Sequence, residues 1–178
     1  YEALPQFRPS MSPYAPRITI RHLLSHAEGF PEDNPWGDRH LADTEDQLSQ
    51  MLRAGIPFSN VPGIAYEYSN FGFAILGRIV TNVSKMKYGD YVAAHILRPL
   101  GMTQSTYEQP LPPAELKSAA AGHDGQGRSI PGKRHTYPEM AAAGLWTTPS
   151  DLCRFAIEVM NAWNGRSSRV VGRDMARE

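Results

Sequence analysis

The chain carries a single cysteine, Cys153, which excludes an internal disulfide and a cysteine metal cluster. No charge of either sign predominates: eighteen lysines and arginines balance eighteen aspartates and glutamates. Nothing in that balance steers the chain to nucleic acid or to an anionic membrane. No apolar run approaches the roughly 18 residues that a spanning helix needs. No Gly-rich phosphate cradle opens a helix, so nucleotide chemistry has no support. Internal repeats and low-complexity tracts are absent as well.

What is present suits one globular domain: 178 residues, 41% hydrophobic and 20% charged, enough to bury a real core. The start (Tyr1-Glu2-Ala3-Leu4-Pro5) does not resemble a natural N-terminus, and the end (Asp174 to Glu178) has no capping or turn signal. A fragment of a longer polypeptide is therefore expected, a single partial domain over 1–178.

Four prolines in residues 1–17 predict an extended lead-in. Thr19 is placed to cap a short helix over 20–26, closed by Gly29. A loop is expected over 30–42. A second helix should begin near Thr44, carry Leu48, Met51 and Leu52 on one face, and end near Gly55. From Asn70 to Met86 the pattern is apolar nearly all round: Phe71, Phe73, Ile75, Leu76, Ile79, Val80 and Val83, with Arg78 and Asn82 as a narrow polar stripe. Such a helix belongs inside a domain. Gly72 and Gly77 lower its propensity, so a close-packed neighbour is expected at each.

A further helix spans 88–97, with Tyr91, Val92 and Ile96 inward, and is broken by Pro99. Residues 99–140 are rich in Pro, Gly and small residues; Gly122 to Gly127 reads as a tight turn, the tip of a short hairpin. The last clear helix opens at Thr148-Pro149-Ser150-Asp151, with Thr148 as N-cap and Pro149 in the first position. Leu152, Phe155, Ala156, Val159, Met160 and Trp163 share one of its faces. The class is mainly α.

Several patterns invite chemistry. His22 and His26 are four apart, as a helical metal pair requires. Leu23 stands where a zinc protease needs Glu, and no third ligand is evident, so the plainer reading is two histidines anchoring a helix end or loop. Ser84-Lys85-Met86-Lys87 fits Ser-x-x-Lys, in which lysine takes the serine proton. It lies at a helix C-terminus, however, whereas such a nucleophile wants the positive N-terminal end; it is read as a decoy. Gly127-Arg128-Ser129-Ile130-Pro131 approaches a nucleophile elbow but has Pro at the second Gly position. Tyr68 and Asn70 remain, a phenol and a carboxamide at the mouth of the apolar helix. A phenol acts as a base only beside cations, a lysine above all. Asn70 has donors and an acceptor with which to orient that lysine or a substrate amide. On residue type alone, a buried tyrosine bonded to backbone is the simpler reading.

Three blocks in order resemble the serine β-lactamase and penicillin-binding-protein superfamily, in its class C and esterase-like branch. They are Ile18 to Phe30, Pro62-Gly63 through Tyr68-Ser69-Asn70 to Leu76-Gly77, and Ala142 to Leu152. Pro99-Leu100-Gly101-Met102 is similar to a fourth family block. The resemblance implies that Tyr68 is the active-site tyrosine and Asn70 its companion. It also implies that Ala143-Gly144 borders the substrate cleft, Ala143 replacing the commoner Gly. It places His22 and His26 in a structural block.

The fold so implied is the helical subdomain of an α+β β-lactamase/transpeptidase-like fold, with long loops and a few short strands. The family's nucleophilic Ser-x-x-Lys and its Lys/His-Thr/Gly-Gly strand would lie before and after these residues. The function implied is serine hydrolysis through an acyl-enzyme on a β-lactam, a D-amino-acid peptide or a small ester. The fragment alone would be inactive and would need the remainder of its own polypeptide. No cofactor or metal is expected. The alternative is a non-catalytic scaffold or binding module of the same fold.

Overall fold

In the computed structural model of the chain, residues 17–32, 44–54, 57–134, 136 and 140–178 are described, Glu45 and Leu48 by backbone alone. The expected lead-in (all but Arg17), most of the 30–42 loop and Gly55 lie outside the described residues. So does the placement of the Leu48 side chain.

Helix α1 spans Ile20–Leu24 and opens with a full capping box: the Thr19 hydroxyl accepts from the His22 amide, and the His22 side chain accepts from the Thr19 amide. It stops short of the expected 26, because His26 itself turns left-handed (φ 53°), as does Gly29 (φ 88°). Helix α2, Glu45–Ala54, begins on a similar reciprocal pair. Thr44 N–H donates to Gln47 Oε1 at 2.8 Å, and Gln47 N–H to Thr44 Oγ1 at 3.3 Å.

Helix α3 covers Asn70–Ser84 and ends at Lys85 in the left-handed region (φ 60°). Phe71 and Ile75 join Leu23, Phe30 and Leu52 in the first core, so α1, α2 and α3 share one apolar centre. Both helical glycines face close neighbours. A Cβ on Gly72 would lie 2.3 Å from Glu28 Oε1, and one on Gly77 would lie 2.9 Å from Ala141 Cβ. The apolar sheath is not complete, however: Val83, in the last turn, is 68% exposed. Arg78, expected on a polar stripe, hydrogen-bonds Ser49 of α2 and ties the two helices together.

Helix α4, Tyr88–Val92, runs directly into a π-helical turn over Ala93–Leu97. Val92 and Leu97 from this stretch pack with Leu100 and Met102 as a second core, flanked by Tyr88, Tyr91, Ile96 and Tyr107. Beyond Pro99 the chain forms turns. Strand pairing among the described residues is confined to two isolated bridges, Thr106 to Trp146 and His123 to Ser129. The second bridge closes the expected hairpin tip, where the Asp124 carboxylate accepts from the amides of Gln126 (2.9 Å) and Arg128 (3.0 Å). Pro110, Pro112, Pro113 and Pro131 lack the N–H that longer ladders need.

Helix α5 is the short segment Met140–Ala143. Helix α6, Pro149–Trp163, has the expected Thr148 cap and Pro at its start; α7 is Arg173–Ala176. The apolar face of α6 is the exposed one, with Leu152, Met160 and Trp163 all at least half open to solvent. Its buried residues are Ala162 and two acids, Asp151 and Glu158. Asp151 accepts from the Gln104 amide (2.8 Å) and Ser105 Oγ (2.9 Å) and pairs with Arg154. Glu158 accepts from Ser167 Oγ (2.6 Å) and the Arg169 amide (3.2 Å). Among the described residues no helix is long and apolar enough to cross a membrane.

Candidate functional site

Ser69, with an extended backbone (φ −142°, ψ 114°), leads into the first turn of α3 and sets the junction. Its side chain, wholly buried, accepts from the Gly72 amide at 3.1 Å and so caps the helix. The neighbours on either side then leave the turn together: Tyr68 Oη donates to Asn70 Oδ1 at 3.0 Å. Tyr68 remains 39% exposed, so its hydroxyl is not sealed in the core. The simpler reading of a buried tyrosine is thereby corrected: its partner is the Asn70 carboxamide.

Glu67, the residue before Tyr68, is a hub that sequence reasoning missed. Its carboxylate accepts from Ser59 Oγ (2.6 Å), Asn60 Nδ2 (2.6 Å) and the Glu32 amide (3.0 Å). The Ser59 bond, followed by that from Glu32, holds the carboxyl below its ordinary range against the opposing effect of burial. A glutamate between two tyrosines gives no motif, and its partners lie up to 35 residues away, so no local signal pointed to it.

Ala143 and Gly144 close α5. The Gly144 amide donates to Met140 O at 2.9 Å, and its carbonyl accepts from Gln109 Nε2 at 3.0 Å. A Cβ at Gly144 would lie 2.8 Å from the Met140 backbone, so a side chain does not fit. Ala143 is exposed and Gly144 buried. Ala141 in the same short helix rests against Gly77, seven residues beyond Asn70 and thus about 10 Å along α3. One helix therefore carries the Tyr68–Asn70 turn at its start and supports the 140–144 turn two turns later.

The remaining candidates have other occupations. His22 completes the α1 cap. His26 lies outside that helix, and its Nδ1 accepts from the Ser69 amide at 3.1 Å. Among the described residues no group of three His, Cys, Asp or Glu is placed to hold a metal. Ser84 Oγ accepts from the Met86 amide at 3.1 Å, within the turn that ends α3. Ser129 sits opposite His123 in an exposed turn (Oγ to Nε2 3.3 Å), with no strand or helix beside it. A cavity of about 860 Å3 lies between α3, α4 and the 106–110 segment, lined by Arg78, Lys87, Arg98, Asp46, Asp90 and Glu108 among others. Tyr68 and Asn70 are not among its lining residues. Tyr107 on its wall is raised well above the usual phenol range, by burial first and by Tyr88 second. That favours a neutral group and argues against a base there.

The chain is 31% identical over 164 residues to "Protein flp" of Staphylococcus aureus strain MW2, which covers 90% of this chain and 31% of that protein. Its backbone superposes on the octameric penicillin-binding protein homologue from Pyrococcus abyssi with a TM-score of 0.72 at 22% identity, over 99% of this chain and 41% of the other. A class C β-lactamase mutant matches with a TM-score of 0.66 at 23% identity, over 90% of this chain and 42% of its own. The chain thus spans about a third of the curated relative, and these two likenesses establish the fold. The Beta-lactamase family model aligns with residues 4–177, almost the whole length, and the chain belongs to that family.

Proposed function

We propose that this chain supplies one half of the acyl-transfer centre of a serine hydrolase whose nucleophile is provided by sequence outside these 178 residues. The observation that carries the reading is the Tyr68 Oη to Asn70 Oδ1 bond at 3.0 Å, on a solvent-accessible turn fixed by a buried cap. The only Ser-x-x-Lys in the chain begins at Ser84, and its hydroxyl is engaged in the turn at the C-terminal end of α3. That end of a helix opposes the negative charge a serine nucleophile develops.

The serine attacks a carbonyl carbon and its proton passes to a base; backbone amides hold the oxyanion, and the leaving group departs with a proton. Tyr68 serves as the proton carrier in this scheme, in concert with a lysine brought near it. Asn70 orients that lysine and the substrate amide or ester. Ala143 and Gly144 form a wall of the same cleft. The substrate is a β-lactam, a D-amino-acid peptide or a small ester, and the fragment by itself has no turnover.

The test is parallel labelling of the full-length polypeptide with a fluorescent penicillin and a fluorophosphonate. Covalent capture on a serine is expected, and absence of capture by both probes refutes the reading. Tyr68→Phe should lower turnover at least about 100-fold, the usual scale for a positioned proton carrier. Unchanged turnover removes Tyr68 from the mechanism.

A further inference from the structure

We propose that His26 is the positioning residue of the Tyr68–Asn70 turn, through an acceptor on its ring and not through charge or metal; this rests on the acyl-transfer reading above. Two independent sets of contacts converge on it. Along the backbone, His26 O accepts from the Glu67 amide at 2.8 Å, and Ala27 O from the Gly63 amide at 2.7 Å, so the segment leading into α3 is fastened to residues 26–27. Through the ring, Nδ1 accepts from the Ser69 amide at 3.1 Å. The same ring lies against Tyr68 (centroids 4.8 Å), Phe73 (5.0 Å) and Tyr66 (5.5 Å).

Each property of histidine is used. The Ser69 side chain is wholly buried and already spent on the Gly72 amide, so the Ser69 N–H needs an acceptor from elsewhere. An imidazole accepts at Nδ1 only when it is neutral and carries its proton on Nε2. Phenylalanine would pack against Tyr68 equally well and leave that amide bare. The backbone at His26 is left-handed, φ 53°, a region where His and Asn are enriched among non-glycine residues. Tyr68 is partly exposed and has one hydrogen bond within its own turn. The direction of its hydroxyl therefore depends on the surface its ring rests on, and His26 is that surface.

The experiment uses the full-length polypeptide with nitrocefin and p-nitrophenyl acetate as substrates. It compares His26→Asn, which tolerates the left-handed backbone and can offer Oδ1 to Ser69, with His26→Phe, which keeps a ring and loses the acceptor. Misplacement of a catalytic group by about 1 Å can cost on the order of 100-fold. The His26→Phe kcat is accordingly expected to fall about tenfold or more with KM within about twofold, and His26→Asn to stay within about threefold of the parent. Equal impairment of the two variants overturns the inference, as does a His26→Phe enzyme of full kcat.

Nitrogen NMR of the unmutated protein supplies a readout that does not depend on a variant folding. Nδ1 of His26 should be the acceptor nitrogen of the ring, coupled to the Ser69 amide; a ring that accepts nothing at Nδ1 overturns the inference. Tyr68→Phe, run alongside, separates the two levels. A fully active Tyr68→Phe removes the acyl-transfer reading and this inference with it. An inactive Tyr68→Phe beside a fully active His26→Phe removes the inference alone.

Discussion

Among the described glycines, Gly29 is the one where an added methyl group would come nearest to a neighbouring backbone atom. Its backbone is left-handed at φ 88°, and a Cβ there would sit 2.2 Å from Asn60 O and 3.1 Å from the Asn60 carbonyl carbon. A left-handed conformation costs an L-residue about 1–2 kcal/mol, and forcing extra volume into a packed site typically costs about 1–3 kcal/mol. Asn60 O belongs to the backbone and cannot rotate aside. Its own residue is also fastened back, since Gly29 O accepts from the amides of Ser59 (3.0 Å) and Asn60 (3.3 Å). Gly29→Ala should therefore lose about 3 kcal/mol or more, among the larger single-residue effects. Gly101 provides the control: it is left-handed too, φ 65°, with nothing within 4 Å of a new Cβ, so Gly101→Ala should lose only the backbone share, about 1 kcal/mol. Urea unfolding of the two full-length variants, followed by circular dichroism, measures the difference. Equal losses would refute the argument that the Asn60 carbonyl is the obstacle.

Two further outcomes follow from α6. Thr148 caps it through the Asp151 amide (3.3 Å), so Thr148→Ala should lose about 1 kcal/mol in the same urea assay and Thr148→Ser should recover most of it. Asp151 is lowered from its ordinary 3.8: burial pushes it up, but bonds from the Gln104 amide and Ser105 and the Arg154 charge outweigh that. A carboxyl lower in the folded than in the unfolded state stabilises the fold above its unfolded value, and that stability is lost as pH falls through the folded value. The parent's urea midpoint should therefore drop more steeply than that of Asp151→Asn below about pH 4; parallel curves would remove Asp151 from the acid response.

Which parts were legible in sequence follows the range of the interactions. The capping signals at Thr19 and Thr148 act over three residues, and both helices open where those signals lie. The end of α1 is not legible in the same way: Gly29 is the expected stop, while His26 adopts the left-handed turn first. Histidine at that angle is uncommon enough that a glycine nearby is the natural choice. Periodicity predicts the apolar stripe on α6, but it gives a face and not its surroundings. Here the buried side holds Ala162 with Asp151 and Glu158, and the partners of the two acids lie on other segments. The closeness of Tyr68 and Asn70 is legible because they are two residues apart. The Glu67 contact to Glu32 and the His26 contact to Ser69 are not, because those partners are 35 and 43 residues away.

The same separation explains why the turn at Tyr68 holds its geometry while remaining open to solvent. A tyrosine on a free loop would lose its orientation as soon as it left the core. Here the orienting contacts lie behind the residue: Glu67 is fastened to residues 32, 59 and 60, and Ser69 is fastened to His26 and Gly72. Tyr68 is thus the exposed step between two anchored neighbours, Glu67 half-buried and Ser69 wholly buried. Gly72 and Gly77 then let Glu28 and Ala141 approach α3 closely, so the helix under Tyr68 and the support under Gly144 are parts of one packed body. A substitution that shifts α3 should accordingly disturb both turns together, whereas one confined to the 122–134 hairpin should disturb neither.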